Sequence, residues 1–423
     1  MKYPVLGRGA QYAAALFLAA VAAPALAQFA LSPVPPLVSA PPPTNLVLTI
    51  DDSGSMTSAF VPDFLGNQDA SVAFTSSDYN RLYYNPNIAY AIPPNAAGLQ
   101  ASYPSAATSF TAAYIDGFNP AAGTVDLSAA YKATVKSTPG SSADQYVIRA
   151  AALGEPAYYY TYTGGTGCTL PIPWQSPPSD TCFTKTVVSA TSGPVTASLA
   201  AGWDERQNFA TWYSFYRTRH LAIASSAAIA MSDSGLASAR VAWQALNTCN
   251  SFLNTTASCS GWDPSASAVD NRLRTFVDTA TSTHRSDFFS WLFRVPASST
   301  TPTRLAWNRV GEYFRSSGAN SPYGIDPNNG STSTTELACV NNFQITMTDG
   351  QWNTFDEKVG GSTFTTFCGT GTCGNEDNTA RTLPDTTPYT PSTTVSSSTS
   401  IYSDLNSGGL ADIAFYYLSL IHI

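Results

Sequence analysis

Charge is what this sequence has least of. Lys, Arg, Asp and Glu make up 11% of its 423 residues, against about a quarter in ordinary soluble proteins. The basic side is the poorer, with 20 Lys plus Arg against 28 Asp plus Glu and a formal net charge of -8. A chain so short of cations lacks the surface that neutralises phosphates, so no nucleic acid is expected as a partner. Histidine is rare, at three residues, and no Cys-x-x-Cys pair occurs, which argues against a zinc cage. There is no Gly-x-Ser-x-Gly elbow, and Gly164-Gly165-Thr166-Gly167 lacks the Gly-Lys-Ser/Thr ending of a phosphate loop. Asp204, Glu205 and Glu312 show no glycosidase spacing and read as helix caps and solvated faces. His220, beside Arg217 and Arg219, reads as a packing or surface residue rather than a base. The chain is therefore not expected to be an enzyme. A secreted hydrolase and a purely structural surface protein stand as the alternative readings.

Beyond the N-terminus no apolar run is long enough to cross a bilayer, and no stable membrane span is expected. The N-terminus itself has another form. Lys2 and Arg8 precede the apolar run Ala13–Ala23, Pro24 breaks it, and Ala25-Leu26-Ala27 is a small-x-small cleavage pattern. Residues 1–27 thus read as a secretory signal peptide, with Gln28 the first mature residue. Residues 28–44 hold Pro33, Pro35, Pro36, Pro41, Pro42 and Pro43 and read as a semi-rigid spacer. Export permits disulfides. Of the seven cysteines, Cys168–Cys182, Cys249–Cys259 and Cys368–Cys373 are the economical local pairs, leaving Cys339 over, although spacing does not prove connectivity.

Asn45-Leu46-Val47-Leu48-Thr49-Ile50 is apolar on both faces and stops at Asp51, the pattern of a buried parallel strand. From about 57 to 200 helical periodicity is poor and Tyr, Pro, Ser and Gly abound. So long a stretch without structure is improbable. It reads as a β-rich insertion stapled by Cys168–Cys182, its Tyr clusters serving as core and strand surface. Helical pattern returns at Asp204–Met231. Arg240–Leu246 reads as a strand, Leu305–Phe314 as a helix, Phe343–Met347 as a second clear strand, 381–400 as a low-complexity loop and Leu410–Tyr417 as a further helix. Strands alternating with helices predict an α/β fold with a mainly parallel sheet, covering 45–417.

The strongest chemical signal is Asp51-Asp52-Ser53-Gly54-Ser55, directly after the first strand. Ligands of open α/β sheets sit beyond the carboxyl ends of the strands. A loop there can aim a carboxylate and two hydroxyls at one point, a hard-oxygen set suited to Mg²⁺, Mn²⁺ or Ca²⁺. Asp349, in Thr348-Asp349-Gly350, ends another strand, and Thr301 precedes the helix at Leu305. Together these resemble the metal-ion-dependent adhesion site of von Willebrand factor A domains, which are Rossmann-type folds with a mainly parallel sheet flanked by helices. The resemblance implies metal-holding roles for Asp51, Ser53, Ser55, Thr301 and Asp349, the shell being completed by an acidic group of a partner. Thr303 is the nearest competitor of Thr301.

A narrower resemblance rests on three segments: Asn80-Arg81-Leu82-Tyr83-Tyr84-Asn85-Pro86-Asn87-Ile88-Ala89-Tyr90, then Asn208-Phe209-Ala210-Thr211-Trp212-Tyr213-Ser214-Phe215-Tyr216-Arg217-Thr218-Arg219, then Met347-Thr348-Asp349-Gly350-Gln351-Trp352-Asn353. Their order and the leader are similar to the N-terminal part of PilY-type proteins, the tip-associated adhesins and assembly factors of type IV pili. The resemblance implies pilus biogenesis, twitching motility and adhesion. It further implies a Gram-negative periplasm, outer membrane and pilus tip as location, with pilin, minor pilins and host or abiotic surface ligands as partners. That family continues into a C-terminal β-propeller, whereas this sequence stops soon after Gly409–Tyr417. Its last residues, Leu418-Ser419-Leu420-Ile421-His422-Ile423, have the form of a translated sequencing-adapter end. The expectation is a fragment of a longer chain without the propeller.

Overall fold

Two-faced burial of the first strand organises the molecule. The computed structural model describes residues 43–61, 65, 72–96, 109–136, 146–148, 154–170, 178–193, 204–249, 251–252, 269–280, 282–298, 300–317, 321–324, 336–337, 340–350, 357–359, 362–364, 368, 373–384, 386–391 and 406–420. The leader expected at 1–27, nearly all of the proline-rich spacer, and Ile421–Ile423 lie outside them. In chain order the elements are β1 (Asn45–Ile50), β2 (Ala113–Tyr114), β3 (Thr124–Val125), β4 (Thr134–Lys136), β5 (Tyr146–Ile148), β6 (Tyr158–Tyr162), β7 (Phe183–Val187), α1 (Glu205–Phe215) and α2 (Arg219–Met231). There follow β8 (Arg240–Ala245), β9 (Arg274–Thr275), α3 (His284–Leu292), α4 (Thr303–Arg315), β10 (Asn342–Met347), β11 (Glu357–Val359), β12 (Ser362–Phe364), β13 (Arg381–Thr382), β14 (Pro388–Tyr389) and α5 (Leu410–Leu418).

The main sheet has the order β10-β1-β8-β9. β1 runs parallel to both β10 and β8, and the short β9 is antiparallel to β8. Alternation along the strands divides their side chains between two faces. Leu46, Leu48 and Ile50 of β1 and Val241, Trp243 and Ala245 of β8 pack with Leu221, Ala224 and Ala228 of α2 and with Phe288, Trp291 and Leu292 of α3. Val47 and Ala242 face the other way, against Val310, Tyr313 and Phe314 of α4. Burial of each large apolar side chain contributes about 1.5–3 kcal/mol. The fold is thus mixed α/β with a parallel-rich sheet flanked by helices. Beneath α4 a polar seam is satisfied from both sides: Gln244 Nε2 donates to Thr49 Oγ1 (3.0 Å) and to Ala306 O (2.9 Å), and Arg309 Nε donates to Gln244 Oε1 (3.0 Å).

Three expectations are refined. The helical stretch Asp204–Met231 is two helices, because Thr218 caps α2 by accepting from Leu221 N and the chain turns at Tyr216. Between 57 and 200 the described residues do form short antiparallel pairs of their own, β2-β3, β4-β5 and β6-β7, with Cys168 and Cys182 bonded. The start of the stretch read as a loop at 381–400 is a small hairpin, β13 against β14, while residues 392–400 lie outside the described ones. Cys368 is bonded to Cys373, and Cys249 is disulfide-bonded. Cys259 and Cys339 lie outside the described residues. Among the described residues no helix is long and apolar enough to cross a membrane.

Candidate metal centre

Parallel pairing in register decides the geometry of the site. Ile50 pairs with Met347 across β1 and β10, and with Ala245 across β1 and β8. The segments that follow, Asp51–Ser55, Thr348–Gly350 and Leu246–Thr248, therefore leave the same end of the sheet. Asp51 N still donates to Met347 O at 2.9 Å, so the ladder carries on to the first acidic residue. Its carboxylate then accepts from Ser53 N at Oδ1 (2.8 Å) and from Thr348 Oγ1 at Oδ2 (2.6 Å). The hydroxyls of Ser53 and Ser55 lie 3.0 Å apart. Asp51 and Ser53 are buried, whereas Ser55 is half-buried and opens the cluster outward. Burial pushes the Asp51 carboxyl above its ordinary range; hydrogen bonds from Ser53 and Thr348 oppose the rise and the charge of Asp349 adds to it.

Asp52 does a different job. Its carboxylate accepts from Asn247 N (3.0 Å) and Asn247 Nδ2 (2.8 Å) at Oδ1, and from Thr248 N and Thr248 Oγ1 (both 3.0 Å) at Oδ2. Both oxygens are occupied in holding the β8 loop against the β1 loop. Burial pushes this carboxyl up as well, against those four bonds. The segment before α4 joins the same edge, since Ser298 N donates to Asp52 O (3.0 Å) and Asn247 Nδ2 to Thr300 O (2.7 Å). Thr301, next in the chain, is buried and is not hydrogen-bonded to Asp51.

Asp349 is held by a residue the sequence reading passed over. Arg219, the first residue of α2, sets Nη1 2.7 Å from Asp349 Oδ2, and the two side chains are 5% and 6% exposed. The guanidinium is fixed on its other side as well. Arg219 Nε donates to Phe60 O (2.8 Å), its backbone N donates to Ser58 O (2.9 Å), and it lies 4.9 Å from the Phe60 ring centroid. A cation at a helix N-terminus opposes the helix dipole, and the carboxylate of Asp349 offsets it. Thr348, outside the expected metal-holding set, likewise matters here, because its hydroxyl orients Asp51.

Asp51, Ser53, Ser55, Thr348 and Asp349 are thus gathered, and Thr301 follows Thr300, whose carbonyl accepts from Asn247. All their donors are hard oxygens, a set that fits Mg²⁺, Mn²⁺ or Ca²⁺ and not a soft metal. Among the described residues no group of three or more His, Cys, Asp or Glu side chains is gathered for a metal.

The Tyr-rich segment 80–90 takes no part in this cluster. It is fastened to α1. Asn208 Nδ2 donates to Tyr84 Oη (2.8 Å) and Ile88 O (2.9 Å), Tyr90 N donates to Asn208 Oδ1 (2.8 Å), and Trp212 Nε1 donates to Leu82 O (3.1 Å). Tyr84 Oη in turn donates to the buried Glu205 at 2.7 Å. Tyr83, Tyr84, Tyr131, Tyr158, Phe209 and Trp212 share one apolar core, as expected of the Tyr clusters.

Fold and cluster together define a parallel-rich α/β protein with a cluster of side-chain oxygens at the carboxyl end of its sheet. Comparison with known proteins gives the family. Over 382 residues, 88% of its length, the chain is 36% identical to the type IV pilus biogenesis factor PilY1 of Pseudomonas aeruginosa strain PAK. It is 34% identical to the proteins of the same name from strains PAO1 and UCBPP-PA14, over 378 and 382 residues. The chain is similar to these PilY-type proteins over 88% of its own length and corresponds to part of them, spanning 27% of the length of the curated relatives it matches. These relatives are named as biogenesis factors, not as enzymes. No protein-family model matches the chain, and no solved structure matches it significantly.

Proposed function

We propose that this chain carries a von Willebrand factor A-like domain that binds a divalent cation, Mg²⁺ first and Mn²⁺ or Ca²⁺ as alternatives, and serves type IV pilus biogenesis and tip adhesion through it. One observation carries the reading: the register of β1 with β10 sets the Asp51 and Thr348-Asp349 loops side by side at one end of the sheet. Asp51, Ser53, Ser55, Thr301 and Asp349 would hold the ion directly or through water. Bound there, a divalent cation supplies an open coordination position that takes a partner's carboxylate. The residues prepare for it: Ser53 N and Thr348 Oγ1 aim the Asp51 carboxylate, and Asp52 locks the loop. The pilus role is supported by the name of the relatives. Pilin, minor pilins and acidic groups on host or abiotic surfaces are the partners, met in the periplasm, at the outer membrane and at the pilus tip after export.

The test is Ser53→Ala with Ser55→Ala, placed in the full-length gene. Export and thermal stability should stay near wild type, Mn²⁺ binding by calorimetry should be lost, and twitching or attachment should fall. A folded, metal-free double variant with wild-type pili, twitching and attachment would remove the adhesive role from this site.

A further inference from the structure

We infer that Arg219 is a built-in cation that claims the Asp349 carboxylate and so lowers the affinity of the strand-end site for divalent metal. The inference rests on the metal-site reading above, but it concerns a residue outside that donor set.

Arg219 is held in place from several directions. Its guanidinium pairs with Asp349 Oδ2 at 2.7 Å and donates to Phe60 O at 2.8 Å, and its backbone N donates to Ser58 O at 2.9 Å. Both partners of the ion pair are nearly buried. A pair withdrawn from water is screened little by salt or solvent. Asp349 also stands close enough to Asp51 for its charge to be felt there. A divalent ion beside Asp51 therefore meets the positive charge of Arg219 across a low-dielectric gap. It reaches Asp349 only by sharing that carboxylate with the guanidinium. Asp52 offers no replacement, because four donors already take its oxygens. Among the described carboxylates of these loops, that of Asp51 has two donors on it and no cation, whereas Asp349 carries the guanidinium and Asp52 four donors. The consequence is weak metal binding by the domain alone, so that an incoming acidic group has a large share in completing the shell.

The experiment titrates Mn²⁺ alone into the full chain and three variants, Arg219→Gln, Arg219→Met and Arg219→Lys, with folding checked by circular dichroism. Arg219→Met keeps the aliphatic stem over Phe60 should the glutamine variant not fold. Removing the charge should tighten Mn²⁺ binding at least tenfold, and Arg219→Lys should stay within about threefold of wild type. Adding Asp349→Asn should cost the neutral variants more affinity than it costs wild type, because only in them is that carboxylate released to the ion. Mn²⁺ binding seen only in the neutral variants also supports the inference. Equal affinity in wild type and both neutral variants overturns it and leaves the metal site standing. Folded proteins none of which binds Mn²⁺ overturn the metal-site reading and this inference together.

Discussion

Arg219 and Asp349 lie 130 residues apart in the chain and 2.7 Å apart in the fold. Their ion pair joins the N-terminus of α2 to the turn after β10, and through Phe60 O it reaches the segment that follows β1. Breaking a buried pair from one side leaves a charge without its counter-ion. Asp349→Ala should accordingly destabilise the protein by about 3–5 kcal/mol. Urea denaturation at low and high salt is the measurement, and a loss that vanishes in high salt would mean the pair is solvated.

Asp51 couples stability, metal and pH. Burial raises its folded-state carboxyl above the ordinary value of 3.8. A raised acid binds its proton more tightly when folded than when unfolded, so its contribution is fully present below the unfolded value and is lost as pH rises through the folded one. Metal-free protein should therefore lose stability as pH rises from the ordinary carboxylate range toward neutrality. Asp51→Asn should flatten that slope, by up to about 1.4 kcal/mol per pH unit. It should also abolish Mn²⁺ binding, which in wild type weakens on acidification as protons compete for the same oxygens. Urea midpoints from pH 4 to 7, with and without Mn²⁺, decide it.

Asp52→Asn exchanges an acceptor oxygen for a donor NH₂ facing Asn247 or Thr248. It removes two of four hydrogen bonds and brings donors against donors. The expected cost is about 1–3 kcal/mol, with loosening of the β1 and β8 loops that hydrogen exchange at Asn247 and Thr248 would register. Unchanged protection there would mean that the loops hold without the carboxylate.

Tyr84→Phe keeps the aromatic packing with Phe209 and Trp212 but removes the hydroxyl that sits between Glu205 and Asn208. The substitution should destabilise by about 1–3 kcal/mol and leave Mn²⁺ binding unchanged. A selective effect on the metal, with stability intact, would contradict the docking role given to the Tyr-rich segment.

Local pattern made much of this protein legible from sequence. A six-residue run that is apolar on both faces has one economical fate, a central parallel strand, and β1 is that strand. The strands read at Arg240–Leu246 and Phe343–Met347 are β8 and β10 to within a residue at one end, and short loops made Cys168–Cys182 and Cys368–Cys373 the economical pairs. Asp51, Ser53, Ser55 and Asp349 could be chosen because turn residues after apolar strands collect at one end of a parallel sheet. What lay beyond the sequence is whatever depends on which strands are neighbours. No local periodicity joins Asp52 to Asn247, 195 residues away, and it was strand order that brought β8 beside β1 and gave that carboxylate its donors. The single helical pattern over Asp204–Met231 hid a break whose new first residue, Arg219, meets Asp349 only because α2 packs over β1 while β10 lies at the edge beside it. Composition and spacing nominate the oxygen donors, but the counter-charge that tunes them is set by long-range packing, which a one-dimensional pattern does not encode.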